Sequence, residues 1–280
     1  MKLDGRRQST HVQDRRGGGH KGCIIGGGLG LGGIIIVGLI WLITGQAPTI
    51  TDNTTDYNNS QEDQELVTFC SQILAGTEDV WTEEFRKMGL TYEAPELVIF
   101  NGSTTSGCGY ATSSSGPFYC SADQTVYLDL DFFKTMKSEI GADGDFAYAY
   151  VIAHEVGHHV QYLLGTLDEA HQLMASYGKN TKGYNQTSVR LELQADFYAG
   201  VWAYHDNQRF GSLEDGDIEE ALDAAAKIGD DYLQKQAYGK TMPETFNHGT
   251  SEQRSRWLKK GLRTGDMRQG DTFAPSYNSL

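Results

Sequence analysis

An apolar stretch around two histidines constrains the fold of this chain more than any other feature. Residues 146–164 hold a single carboxylate and contain the sequence HEVGH at residues 154–158. The stretch is long enough for a helix, and Gly165, which follows it, is a typical helix end. Residues four apart lie one turn above each other on the same helix face. The sequence therefore predicts a helix that directs two imidazole rings to one place.

The pair His154 and His158 offers two imidazole nitrogens to one metal ion. Glu155 borders the same helix face, close enough to reach a water on that ion without being a ligand. The H-E-x-x-H spacing is typical of metallopeptidases. The five-residue pattern also occurs by chance, and its histidines would then be hydrogen-bonded residues of a buried helix. The sequence downstream favours the metal site over this alternative.

A second predicted helix supplies a third ligand. Zinc in a catalytic site usually takes three protein ligands and a water. In residues 189–200, Glu192 and Asp196 lie four apart on one face. Two carboxylates among apolar neighbours are costly to bury unless both are paired. We predict that Glu192 binds the ion and that Asp196 accepts a hydrogen bond from a ligand histidine, which orients its ring. The alternative is a solvated helix edge with one acidic pair.

Three separated motifs resemble one known family. HEVGHHVQ, the later LELQAD and the stretch GPFYCSADQTVYLDLDFF together are similar to the neutral zinc metallopeptidases of bacteria, which are membrane-anchored proteins with one exported domain. H-E-x-x-H followed by E-x-x-x-D is also the pattern of the wider gluzincin group. The resemblance covers roughly residues 66–265 and leaves the N-terminal basic stretch and the linker outside. It implies zinc ligands His154, His158 and Glu192, the catalytic base Glu155, and Asp196 as the carboxylate that supports a ligand histidine.

Another histidine lies in residues 246–257, just before a helix that Thr250 or Ser251 caps. The resemblance places a His-Gly-[Ser/Thr]…Arg stretch here. A histidine at a helix entry can donate to a developing oxyanion, and Arg254 would orient it or an acidic neighbour. We predict that His248 is a second catalytic residue. The alternative is a loop histidine that is bonded to the backbone.

The cysteines predict one disulfide. Cys108 and Cys120 bracket a loop, and an exported domain can keep disulfides. The alternative is two buried free thiols, and a cysteine zinc site is disfavoured because the sequence has no C-x-x-C pair. Cys70 has no assigned role. His159 points about 100° away from His158 around the helix, and we predict that it is structural.

The N-terminal part of the chain predicts a membrane anchor. Residues 22–45 contain no charged side chain, and about 20 apolar residues span a bilayer. The basic residues in 1–21 predict a cytoplasmic N-terminus and an extracytoplasmic catalytic domain. Residues 46–64 are polar and acidic and predict a flexible linker. Residues 265–280 lack periodicity and predict a frayed tail.

Between the linker and the tail, residues 65–264 predict one domain. We expect a mainly helical α+β fold, with a small sheet beside the zinc helix. Strands are predicted at residues 97–100 and 125–130, and the second would align an extended peptide by edge pairing. The formal net charge of −14 argues against nucleic-acid binding, which requires a basic face.

The predicted function is zinc-dependent hydrolysis of peptide bonds in a peptide or protein substrate. The first alternative is a membrane-tethered binding or scaffold domain that holds a structural zinc ion without turnover. Glu155 counts against this alternative, because a domain without turnover does not need a base. A second alternative is an exported domain without a metal.

Overall fold

The computed structural model describes residues 1–16 and 60–280 of the chain. Its α-helices are α1 (Gln61–Lys87), α2 (Asp131–Thr135), α3 (Asp145–Leu163), α4 (Thr166–Tyr177), α5 (Lys182–Phe210), α6 (Asp217–Lys227), α7 (Asp230–Tyr238) and α8 (Ser251–Thr264). Its strands are β1 (Val12–Asp14), β2 (Glu96–Phe100), β3 (Ser103–Ser106), β4 (Gly109–Thr112), β5 (Phe118–Cys120) and β6 (Thr125–Asp129). A mainly helical α+β fold with a small sheet is therefore confirmed for these residues.

The main sheet has the strand order β1-β2-β6-β5. Strands β1, β2 and β6 are parallel, and β5 is antiparallel to β6. The backbone of β6 is thus paired on both sides, so the prediction that the strand near residues 125–130 offers a free edge is wrong. The edge strand that contacts α3 is β5.

Strands β3 and β4 form a separate antiparallel hairpin. A disulfide between Cys108 and Cys120 connects this hairpin to β5. This is the disulfide that the sequence predicts. Cys70 is a free, fully buried thiol on α1.

The two helices that carry the predicted ligands approach closely because their contact residues are small. Helix α3 is buried along most of its length, as its nearly uninterrupted apolar sequence requires. A Cβ atom added to Gly157 would lie 2.9 Å from the carbonyl oxygen of Ala195 on α5. The glycine therefore lets the two backbones meet at a point one turn from Glu192.

Helices α5 and α8 also meet through glycines. A Cβ atom on Gly200 would overlap the carbonyl oxygen of Leu258, and one on Gly261 would overlap that of Phe197. Helix α8 begins with a capping box, in which the Thr250 side chain accepts from the backbone N–H of the third helical residue. The close contact and the defined start together set where the side chains of α8 lie relative to α5.

Residues 1–16 pack against the rest of the described structure. Strand β1 pairs with β2, whose edge groups would otherwise be open. Arg6 forms a 2.6 Å ion pair with the buried carboxylate of Asp206 on α5, and Gly76 leaves room for the guanidinium group. Residues 1–16, the described part of the predicted cytoplasmic segment 1–21, thus lie against the domain, which disagrees with a position across a membrane from it.

The predicted membrane span at residues 22–45 lies outside the described residues. Within residues 1–16 and 60–280, no helix is long and apolar enough to cross a membrane. Most of the predicted linker, residues 46–64, also lies outside. Its last residues already belong to α1, because the Ser60 side chain caps that helix by accepting from the Asp63 backbone N–H.

The C-terminal residues 265–280 do not fray, so this prediction is wrong. They include two short 3-10 turns, Met267–Gln269 and Tyr277–Ser279. The Thr272 hydroxyl donates to the backbone carbonyl of Arg190 on α5, and the Arg190 guanidinium donates to the carbonyl of Thr272. These long-range hydrogen bonds leave no trace in the local periodicity.

Candidate metal centre

Three of the predicted site residues converge between α3 and α5. The side-chain donor atoms of His154, His158 and Glu192 all lie within 4.8 Å of one another. Nε2 of His154 lies 3.3 Å from one carboxylate oxygen of Glu192, and Nε2 of His158 lies 3.6 Å from the other. All three side chains are buried. Two neighbouring imidazoles and a carboxylate from a separate helix therefore face one point.

The other nitrogen of each ring is held by an acceptor. Nδ1 of His154 lies 2.8 Å from Oδ1 of Asp196, and Nδ1 of His158 lies 2.8 Å from Oε1 of Gln161. Carboxylate and amide oxygens only accept hydrogen bonds, so both Nδ1 atoms carry the proton in the neutral rings. The lone pairs of both Nε2 atoms are then directed toward Glu192, as metal ligation requires.

The donor set fits a tetrahedral divalent ion. Bonds of 2.0–2.2 Å to nitrogen and oxygen place neighbouring ligand atoms about 3.3–3.6 Å apart in a tetrahedron. The distances from the two Nε2 atoms to the Glu192 oxygens, 3.3 and 3.6 Å, agree with this spacing. Two imidazoles with one carboxylate are a common ligand set of catalytic zinc. The described residues thus supply three ligands and leave one position for a molecule from outside.

Glu155 lies beside these ligands with one oxygen unsatisfied. Among the described residues, its buried Oε2 has no hydrogen-bond partner. Burial raises the pKa of Glu155 to about 7, against the opposing charge of His154, and the backbone N–H of Tyr119 on β5 donates to the carboxylate. A buried carboxylate oxygen without a partner is costly. The position of Glu155 Oε2 beside the ligands suits a group that exchanges a proton with a bound molecule near neutral pH.

Asp196 lies within hydrogen-bond distance of His154, as the sequence predicts. Its carboxylate also accepts from Tyr150 and from Arg254, both buried. Burial alone would raise the pKa of Asp196, but the charges of Arg254 and His154 hold it well below its usual range. The supporting carboxylate is therefore ionised and fully hydrogen-bonded.

His248 lies near the ligand group and is held by an aspartate that the sequence did not single out. Nδ1 of His248 lies 3.0 Å from Oδ1 of Asp230. Burial lowers the pKa of His248, but the charges of Asp230 and Glu192 outweigh it and raise that pKa overall. Burial raises the pKa of Glu192, but the hydrogen bond to His154 and the charges of His158 and His248 lower it to about 2. His248 therefore lies within electrostatic reach of the proposed ligand, with its Nε2 free of hydrogen-bond partners among the described residues.

His159 is structural, as its position on α3 predicts. Its Nε2 lies 2.7 Å from the carbonyl oxygen of Glu93, and its Nδ1 lies 2.8 Å from the hydroxyl of Tyr119. Both ring nitrogens are thus used, and burial lowers the pKa of His159 to about 4. The ring joins α3 to β5, the strand whose backbone contacts Glu155.

Two supporting residues were missed by sequence reasoning. Gln161 lies three residues after His158 on the same helix, and this spacing could have identified it. Its amide is oriented by donating 2.7 and 3.1 Å hydrogen bonds to the backbone of Leu191 and the side chain of Gln194. Asp230 carried no such signal, because it is 18 residues from His248 along the chain.

Known proteins resemble this chain over most or all of its length. The protein YpfJ of Escherichia coli (strain K12) is 48% identical over 291 aligned residues, which cover 99% of this chain and all of the relative. Rv2575 of Mycobacterium tuberculosis and Mb2605 of Mycobacterium bovis are each 45% identical over 193 residues, which cover 65% of this chain and 64% of the relative. The comparison with solved structures found no match.

A family model matches residues 1–273. The match includes the N-terminal stretch that the motif resemblance left outside, in agreement with the packing of residues 1–16 against the sheet. The chain belongs to the family described as "Putative neutral zinc metallopeptidase".

Proposed function

We propose that this protein is a zinc-dependent peptidase in which His154, His158 and Glu192 hold the ion. The observation that carries the proposal is the convergence of two Nε2 atoms on the Glu192 carboxylate, while both Nδ1 atoms are held by acceptors. Such an arrangement commits both rings to one ligand position. The unsatisfied oxygen of Glu155 lies beside it.

Glu155 is the general base in this proposal. When bound, zinc supplies a Lewis acid that lowers the pKa of water and polarises a carbonyl group. Glu155 takes a proton from the attacking water at its free Oε2 and delivers it to the nitrogen of the leaving amine. Burial raises the pKa of Glu155 and so favours its taking up this proton.

His248 donates to the oxyanion that develops on the attacked carbonyl. Asp230 holds Nδ1 of the ring, and the raised pKa of His248 favours the imidazolium form, in which Nε2 also carries a proton. A fixed donor aimed at developing charge stabilises the transition state more than the ground state.

The substrate is an extended segment of a peptide or protein. Strand β5 lies at the edge of the main sheet, with no strand on its outer side among the described residues. Its residue Tyr119 directs a backbone N–H to Glu155, which places this edge at the site. We therefore assign peptide alignment to β5 instead of β6. The proposal does not depend on a membrane anchor, whose predicted residues 22–45 lie outside the described ones.

A structural zinc site is the competing interpretation. Structural sites almost always use four protein ligands, whereas the described cluster provides three. A site closed by four protein ligands would also hold no water for the unsatisfied Glu155 oxygen to bind.

The test compares Glu155→Gln with the wild type and with Glu169→Gln, the same change at an exposed position on α4. We measure zinc content by elemental analysis and cleavage of a peptide library, with a chelator as control. Glu155→Gln should bind zinc and lose about 10²–10⁴-fold in turnover, while Glu169→Gln behaves as wild type. Wild-type turnover in Glu155→Gln excludes this mechanism, and zinc without cleavage in the wild type supports the structural site.

A further inference from the structure

A fully buried arginine lies behind the three ligand residues. Arg254 on α8 is 0% exposed. Its Nε donates to Oδ2 of Asp196 and its Nη2 to Oδ1, each over 2.9 Å. The pair is therefore bidentate, a geometry that fixes both the position and the plane of a carboxylate.

Asp196 needs this support because one of its oxygens serves several donors. Oδ1 accepts from His154 Nδ1 at 2.8 Å, from the Tyr150 hydroxyl at 2.6 Å and from Arg254 at 2.9 Å. Nη2 of Arg254 also lies 3.4 Å from Nδ1 of His154; both atoms are donors and do not bond to each other, and both donate to Oδ1 of Asp196. The location of that oxygen decides where the His154 ring points.

We infer that Arg254 is a positioning residue for metal binding, an inference that rests on the proposed zinc site. It holds Asp196 so that Asp196 orients His154, and it touches no substrate. An ordinary buried ion pair would stabilise the fold without affecting the ion. Arg254 differs from such a pair because its Nη2 also lies 4.0 Å from a Glu192 oxygen, so it borders two of the three ligand residues.

The contact between α5 and α8 determines how close Arg254 comes to Asp196. Asp196 lies about one turn before Gly200 on α5, and Arg254 lies about two turns before Gly261 on α8. The two glycines allow the helix backbones to touch at this crossing. The same helix begins at Ser251, three residues after His248.

The chain offers a matched control for this inference. Arg6 also forms a charged pair with a buried aspartate of α5, Asp206, with N–O distances of 2.6 and 3.2 Å. None of its described contacts is with a ligand residue. Replacing Arg6 therefore breaks a similar pair on the same helix away from the metal centre.

The experiment compares Arg254→Lys and Arg254→Met with Arg6→Met in the full chain. Zinc affinity is measured by competition with a chromophoric chelator, ligand geometry by the absorption spectrum of the cobalt-substituted protein, and folding by thermal unfolding. We expect both Arg254 variants to lose about 10–100-fold in zinc affinity and to change the cobalt spectrum. Arg6→Met should lower the unfolding temperature and leave both metal readouts unchanged.

Arg254→Lys keeps the charge and removes only the planar fork, so it remains informative if the Met variant does not fold. Wild-type zinc affinity and an unchanged cobalt spectrum in Arg254→Lys would overturn the inference, as would an equal loss of affinity in Arg6→Met. Absence of zinc binding by the wild-type protein would instead reject the proposed function itself.

Discussion

Nδ1 of His248 lies 3.0 Å from Oδ1 of Asp230, and the other oxygen of Asp230 accepts from the backbone N–H groups of residues 247–249. Asp230 thus holds both the ring and the loop that carries it. The three backbone hydrogen bonds, of 2.8, 2.7 and 3.0 Å, fix the loop before α8 begins. The free Nε2 then has a defined direction without any contribution from α8 side chains.

Replacing His248 should reduce turnover without removing the metal. We expect His248→Ala to lower kcat about 10²–10³-fold, the usual loss for one oxyanion donor, with the zinc content of the wild type. His171→Ala, a half-buried histidine on α4, is the matched control and should have wild-type kcat. Loss of zinc from His248→Ala would show that His248 is a ligand and contradict the assigned role.

Gln161 should support zinc binding through His158. Gln161→Met has a similar shape but cannot accept a hydrogen bond from Nδ1 of His158, so we expect about 10–100-fold weaker zinc binding. Gln161→Glu keeps an acceptor oxygen and should retain more affinity than Gln161→Met. Chelator competition measures both. Equal affinities in the two variants would show that the 2.8 Å contact does not orient the ring.

The crossing of α5 and α8 should not tolerate a side chain at Gly261. A Cβ atom there would overlap the carbonyl oxygen of Phe197, and backbone cannot move aside as a flexible side chain does. We expect Gly261→Ala to destabilise the fold by about 1–3 kcal/mol or more, measured by urea unfolding. Lys259→Ala, on the exposed side of α8, is the control. A Gly261→Ala protein as stable as the wild type would mean that the helices are further apart.

His159 should make folding stability depend on pH. Burial lowers its pKa to about 4 in the folded protein, whereas an unfolded histidine titrates near about 6.5. The unfolded chain therefore binds the proton first as pH falls. The contribution of His159 to the free energy of unfolding is about 3 kcal/mol. It is fully present above pH about 6.5 and is lost as the pH falls toward about 4.

Urea unfolding of the wild type and of His159→Phe at several pH values, both with a chelator, measures this dependence. The variant should lose less stability than the wild type between pH 7 and pH 4.5, whatever its stability at pH 7. The chelator removes metal binding from both proteins, and other titrating groups cancel in the difference. Parallel stability curves would contradict the burial of a neutral His159.

Local spacing was enough to predict the core of the site. The four-residue interval between His154 and His158 places both rings on one helix face whatever surrounds the helix. The same geometry applies to Glu192 and Asp196 on α5. Long-range support was harder to predict: Asp230, 18 residues from His248, was missed, and Arg254 was expected to orient His248 or an acidic neighbour without Asp196, 58 residues away, being named as its partner.

The wrong predictions share a physical cause. A strand's sequence does not reveal its neighbours, so β6 was taken for an edge strand although it lies between β2 and β5. Residues 265–280 have no periodic apolar pattern, yet hydrogen bonds to Arg190 on α5 order them. Charge counting predicted that residues 1–21 lie across a membrane from the domain, whereas residues 12–14 among them form β1, which pairs with β2.

By itself, the sequence determined which residues are candidate metal ligands and how they are spaced within each helix, because the α-helical repeat is a property of the backbone alone. The placement of one helix against another depended on tertiary contacts such as Gly157 with Ala195 and Gly200 with Gly261. Those contacts follow from shape and close packing between distant segments. They brought Glu192 to the histidines and Arg254 to Asp196, which no local pattern encodes.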